Sequence, residues 1–127
     1  MWALETSLHT RGQKFVEDPR LGFLNASPAN IGTALRASVY VKLVQLGQQP
    51  GFEALVRRLR LIPRSEYPQN DRRYTGIFDI ANAEALGKTE VEVINVMIRG
   101  VAELIALEKR LENGEEIDLD EECRTYR

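Results

Sequence analysis

Four side chains at alternate positions, Arg36, Ser38, Tyr40 and Lys42, are the clearest candidates for chemistry in this 127-residue chain. Two cations, a hydroxyl and a phenol on one side of an extended segment can grip an anion through charge-assisted hydrogen bonds. The same alternation also describes a strand with one solvated face and no ligand. A second set of cations, Arg57, Arg58, Arg60, Arg72 and Arg73, is a candidate nucleic-acid patch. Glu53, Glu66 and Asp71 lie among them and no exposed aromatic interleaving is expected, so the set reads as solvated surface. Cys123 is the only thiol and His9 the only imidazole. That excludes an intramolecular disulfide, a Cys/His zinc site and a Cys–His nucleophile pair within this chain. Acidic neighbours discourage a Cys123 thiolate, and no redox role is expected for it.

The elements that must position these residues follow from periodicity. Leu35, Ala37, Val39, Val41 and Leu43 alternate with the polar set, which predicts a strand over 35–43. Trp2, Leu4, Leu8 and Phe15 mark one side of a short first helix ending before Pro19, and 21–24 reads as a strand between Pro19 and Pro28. After the break at Gln48-Gln49-Pro50-Gly51, Phe52, Leu55, Val56 and Leu59 recur at helical spacing. A short strand is predicted over 59–62, a long exposed loop over 63–76, and a further strand over 77–80. Thr89-Glu90-Val91-Glu92 is a capping box, and the helix it opens carries Val91, Ile94, Ile98, Val101 and Ile105 as its core stripe, widened by Met97 and Leu104, until Asn113-Gly114. The chain is thus expected to be α+β, a partial antiparallel sheet flanked by helices on one face. Residues 1–114 are expected to form one partial domain and 115–127 an acidic tail, solvated or covering a partner.

With 17 basic and 19 acidic side chains the net charge is −2, too small to draw nucleic acid or an anionic membrane by overall field. No apolar run approaches the roughly 18 residues that span a bilayer, and no secretory or transit signal is legible. A mature intracellular chain is expected.

The segment Arg20-Leu21-Gly22-Phe23-Leu24, continuing through Ser27-Pro28-Ala29-Asn30-Ile31-Gly32-Thr33-Ala34-Leu35-Arg36, resembles the phosphagen kinases, the ATP:guanidino phosphotransferases, and among them the arginine kinases. The family motif there is Cys-Pro-x-Asn-Leu-Gly-Thr-x-x-Arg. The likeness resumes at Arg60-Leu61, at Gly76-Ile77-Phe78-Asp79-Ile80-Ala81-Asn82, and through the last long helix to Glu112. It covers nearly the whole chain but only about the final third of a family member. The resemblance implies about half of an eight-stranded antiparallel sheet, without the small helical domain and the first half of the catalytic domain that carry several phosphate-gripping arginines.

It also implies residue roles. Two arginines that grip nucleotide phosphates fall on Arg36 and Arg64, and the adenine-side histidine falls on Tyr40. The family's reactive cysteine falls on Ser27, whose hydroxyl is not ionised at neutral pH. The substrate-gripping loop glutamate falls on Gln69, and the Gly-Thr-x-Gly turn after the second arginine is replaced by Ser65-Glu66-Tyr67-Pro68. Read that way, Ser27 and Gln69 are degenerate catalytic positions and Arg36, Tyr40 and Arg64 a nucleotide-binding remnant. Arginines on a strand face also pair with sheet carboxylates and persist for that reason alone. The expectation is therefore a protein that is not an enzyme on its own, has no cofactor or metal, and serves as a structural subunit of a large axonemal or mitochondrial assembly. Its protein partners would cover the exposed sheet edge and face. The alternatives are one piece of a split guanidino kinase using ATP or ADP with Mg²⁺, and a residual nucleotide-binding module.

Overall fold

In the computed structural model, which describes residues 2–125 without the side chains of Ala29 and Cys123, the expected elements follow in order, with a short strand at Glu17–Asp18 and a last helix at Leu119–Thr125 in addition to them. Helix α1 spans Trp2–Thr10, and a small antiparallel hairpin pairs β1 (Glu17–Asp18) with β2 (Gly22–Phe23). Strand β3 is Ser38–Lys42, helix α2 Phe52–Arg58, strand β4 Leu61–Ser65 and strand β5 Ile77–Asn82. Helix α3 is Glu90–Glu112 and helix α4 Leu119–Thr125.

The main sheet has the order β3-β5-β4, with both pairings antiparallel. Strands β3 and β4 therefore point the same way on either side of β5, and a helical crossover is how a chain joins two such strands. That crossover is α2. On the inner face Leu61, Phe78 and Ile80 meet Leu55 and Val56 of α2 and Leu104 and Leu107 of α3 in one buried cluster. The tight approach of α3 to β4 depends on Gly100, since a Cβ there would lie 2.6 Å from Leu61 Cδ1.

Capping geometry explains where α3 starts. Thr89 Oγ1 accepts from Glu92 N–H at 3.2 Å, and the Glu92 carboxylate accepts from Thr89 N–H at 2.7 Å. That backbone bond, with the Thr89 hydroxyl adding to it, holds the Glu92 carboxyl below its ordinary value.

Several expectations are corrected. The first helix ends at Thr10, so Phe15 lies outside it, and it buries none of its residues, with Trp2 83% exposed. The strand over 59–62 begins two residues later, after Arg60 turns the backbone to a positive φ of 61°, and runs into what was expected to be loop. On α3 the expected stripe meets the core only in part: Leu104 is buried with Val93, Gly100 and Leu107, and Met97 and Val101 pack against the cluster, whereas Val91 and Ile98 are 69% and 58% exposed. A helix with apolar residues on two sides shows its period plainly but not which side a neighbour will occupy. The segment after Gly114, expected to be too acidic for a core, forms α4 and inserts Leu119 beside α2. Arg110 fastens it through Glu115 at 2.9 Å and Glu122 at 2.8 Å.

Candidate functional site

The outer face of the sheet carries no helix among the described elements. Cross-strand register sets what stands there, because residues directly opposite in antiparallel strands project to the same side. Tyr40 on β3, Asp79 on β5 and Arg64 on β4 form one row across all three strands. Ser38, Ala81 and Ile62 form the next row. Lys42 stands opposite Ile77.

Arg36 lies just before β3 and reaches the same row. Its Nη2 donates to Asp79 Oδ2 at 3.2 Å, and Asp79 Oδ1 is buried without a hydrogen-bond partner. The backbone that presents Arg36 is clamped on both sides by one amide. Asn82 Oδ1 accepts from Ala37 N–H at 2.8 Å, and Asn82 Nδ2 donates to the carbonyls of Leu35 and Glu84, each at 3.1 Å. Among the described residues no carboxylate pairs with Arg64. The outcome is a shallow face on which Arg36, Tyr40 and Arg64 surround a single carboxylate.

Other predicted site residues lie elsewhere. Ser27 is exposed at the start of a single 3-10 turn, Pro28–Asn30, outside the main sheet, and its N–H donates to Asn25 Oδ1 at 2.9 Å. Gln69 sits in the loop between β4 and β5 and donates through Nε2 to the Gly47 carbonyl. It lines a cavity of about 380 Å³ with Phe52, Pro63, Ser65 and Phe78 at the inner-face end of the sheet. The structure thus brings Arg36, Tyr40 and Arg64 together and does not place Gln69 on their face.

Three arginines of the second cationic set are engaged by carboxylates. Arg57 pairs with Glu53 at 3.7 Å and Arg60 with Glu84 at 3.6 Å. Arg73 grips Asp71 at 2.9 Å and covers the Tyr67 ring at 4.4 Å from its centroid. The Arg73 guanidinium, and then its N–H, hold the Asp71 carboxyl below its ordinary value. The Cys123 side chain lies outside the described residues.

Two residues escaped sequence reasoning. Asp79 reads as one charge in an apolar strand, and only the register sets it between the two arginines. Glu108 is 5% exposed and accepts from the N–H groups of Gln45 at 2.9 Å and Leu46 at 2.7 Å. Burial, and secondarily the charge of Glu108, push the nearby Tyr74 phenol above its ordinary value.

A family model described as the C-terminal catalytic domain of ATP:guanido phosphotransferase matches residues 2–111. The chain belongs to this family. It is 40% identical over 115 residues to a creatine kinase B-type of Gallus gallus and 39% identical over 107 residues to an arginine kinase of Stichopus japonicus. Those alignments take in 91% and 84% of this chain. The chain spans only about 30% of the length of these curated relatives. Among solved structures, a lombricine kinase matches with a TM-score of 0.76 at 40% identity over 91% of this chain and 32% of that one. A duplicated taurocyamine kinase of Schistosoma mansoni matches with a TM-score of 0.72 at 35% identity over 82% of this chain and 14% of that one.

These findings overturn the expectation that the chain is not an enzyme. The matching family model is that of a catalytic domain, and the relatives are named kinases. The expectation leaned on the missing half of the phosphate clamp and on Ser27 and Gln69. No helix is long and apolar enough to cross a membrane among the described residues.

Proposed function

We propose that this chain is the carboxy-terminal part of an ATP:guanidino phosphotransferase, supplying the nucleotide-phosphate side of a site that the rest of a catalytic domain completes. The observation that carries the reading is the convergence of Arg36, Tyr40 and Arg64 on one open sheet face. Two guanidiniums, one on β4 and one just before β3, stabilise developing phosphate charge with little reorganisation, and the exposed Tyr40 phenol offers a stacking surface to a base. No group of three or more His, Cys, Asp or Glu side chains could hold a metal among the described residues. Mg²⁺ therefore enters in this reading with the nucleotide it accompanies.

The test is calorimetric and thermal titration of the chain with Mg·ADP, followed by mixing with the complementary two-thirds of a family member. A thermal upshift that disappears in the Arg36→Ala/Arg64→Ala variant, and Mg²⁺-dependent guanidino phosphorylation by the mixture, are expected. No shift with Mg·ADP, together with an inactive reconstituted pair, overturns it.

A second reading, a subunit of a larger protein assembly, is favoured by the apolar surface of α3 at Val91, Ile98 and Ile105 and by the two unpaired edges of the sheet. In that reading other protein subunits cover the edge and face. A complex from native extract that lacks any complementary kinase portion supports the second reading, and one that contains it supports the first.

A further inference from the structure

We propose that Asp79 is a positioning residue, a carboxylate set between Arg36 and Arg64 to space and aim them as a two-arginine phosphate clamp. The inference rests on the functional reading above and adds a role for a residue that contributes no positive charge. Three observations support it. The Asp79 carboxylate takes only one of the five N–H donors of Arg36, through Oδ2 at 3.2 Å, which leaves the outward edge of that guanidinium free. The other oxygen, Oδ1, is buried and has no hydrogen-bond partner, so an acceptor remains within the row. Arg64 stands directly opposite Asp79 on β4, where its stem lies beside Asp79 and its guanidinium has no carboxylate of its own among the described residues.

One oxygen for each arginine is the arrangement these positions allow. Without the carboxylate, two like charges on strands flanking β5 would repel and splay. With it, the Arg36 guanidinium is held by one donor, and the unpartnered Oδ1 is the acceptor that would hold Arg64 when the two close on a polyphosphate. Asn82 fixes the backbone at 35 and 37 while Asp79 fixes the side chain at 36, so the first arginine is constrained at both ends.

The sign of one substitution separates this role from its rival. If Asp79 were merely an opposing charge, Asp79→Asn would tighten the binding of an anion. A positioning role requires it to weaken binding of inorganic tripolyphosphate to the chain by about tenfold or more, the worth of one charge-assisted hydrogen bond. In an Arg36→Gln background the same change should then cost little, because there is less left to position. Calorimetric titration of the four proteins measures both. Tighter binding by the Asp79→Asn chain, or an undiminished loss in the Arg36→Gln background, overturns the proposal. A ligand-free readout keeps it independent of the functional reading: the Arg36 Nη2–H resonance is expected to stand apart from solvent-exposed arginines and to merge with them in the Asp79→Asn chain. If the unsubstituted chain binds no tripolyphosphate the functional reading falls, and an Arg36 resonance unchanged by Asp79→Asn refutes the role assigned to Asp79.

Discussion

Replacing Glu108 by Gln probes whether a buried carboxylate on α3 holds the turn that follows β3. The carboxylate accepts two backbone N–H groups, at 2.9 Å from Gln45 and 2.7 Å from Leu46, and is 5% exposed. Glutamine keeps one carbonyl oxygen, but its amide nitrogen then faces the second N–H, donor against donor. One charge-assisted bond is lost, one buried N–H is left without an acceptor, and the surviving bond loses its charge. At about 1.5–3 kcal/mol for a hydrogen bond to a charged group, and about 1–3 for an unsatisfied buried donor, the loss should be about 2.5–6 kcal/mol. Urea unfolding followed by far-ultraviolet circular dichroism measures it, with Glu112→Gln as an exposed control on the same helix expected to change stability by less than about 0.5 kcal/mol. The opposite effect has a physical basis as well, since removing a buried charge can stabilise a protein when desolvation outweighs its bonds. An unchanged or raised stability for Glu108→Gln would refute the account of this turn.

Ala34 holds a left-handed φ of 54°, which disfavours any side chain with a Cβ; Ala34→Gly should raise stability by about 0.5–1 kcal/mol net of glycine's greater unfolded freedom, read as a shift in the urea midpoint. Glu92 has a lowered folded pKa, so its contribution is present above the unfolded value and is lost as pH falls through the folded one, below about 4.5. Glu92→Gln should therefore flatten the acid limb of stability against pH measured by thermal melts, and an acid limb as steep as that of the unsubstituted chain would sink the assignment.

Most of the architecture was legible from local pattern. Alternation over 35–43 persists in half-buried Val39 and Val41 and buried Leu43 against exposed Ser38, Tyr40 and Lys42, although the paired strand itself is shorter. The capping box put the start of α3 at Glu90, because its partners lie three residues apart and need no tertiary help. The motif around Arg36 also identified the family, since residue types at fixed spacing survive in sequence whatever the surrounding packing.

What was not legible depends on pairs distant along the chain. Arg36 and Asp79 are 43 residues apart, and Glu108 is 63 from Gln45. Nothing local distinguishes these two carboxylates from solvated ones. The burial of Leu119 escaped for the same reason, as an isolated leucine among acids shows no period. On α3 both apolar stripes have helical spacing, and only the position of the sheet selected the one with Gly100, where no Cβ obstructs Leu61. The sequence by itself determined which segments are helical or extended and which family they belong to, because those follow from interactions a few residues long. The strand register and the side of each helix that meets the sheet decided which charges face one another, and those are properties of the closed fold alone.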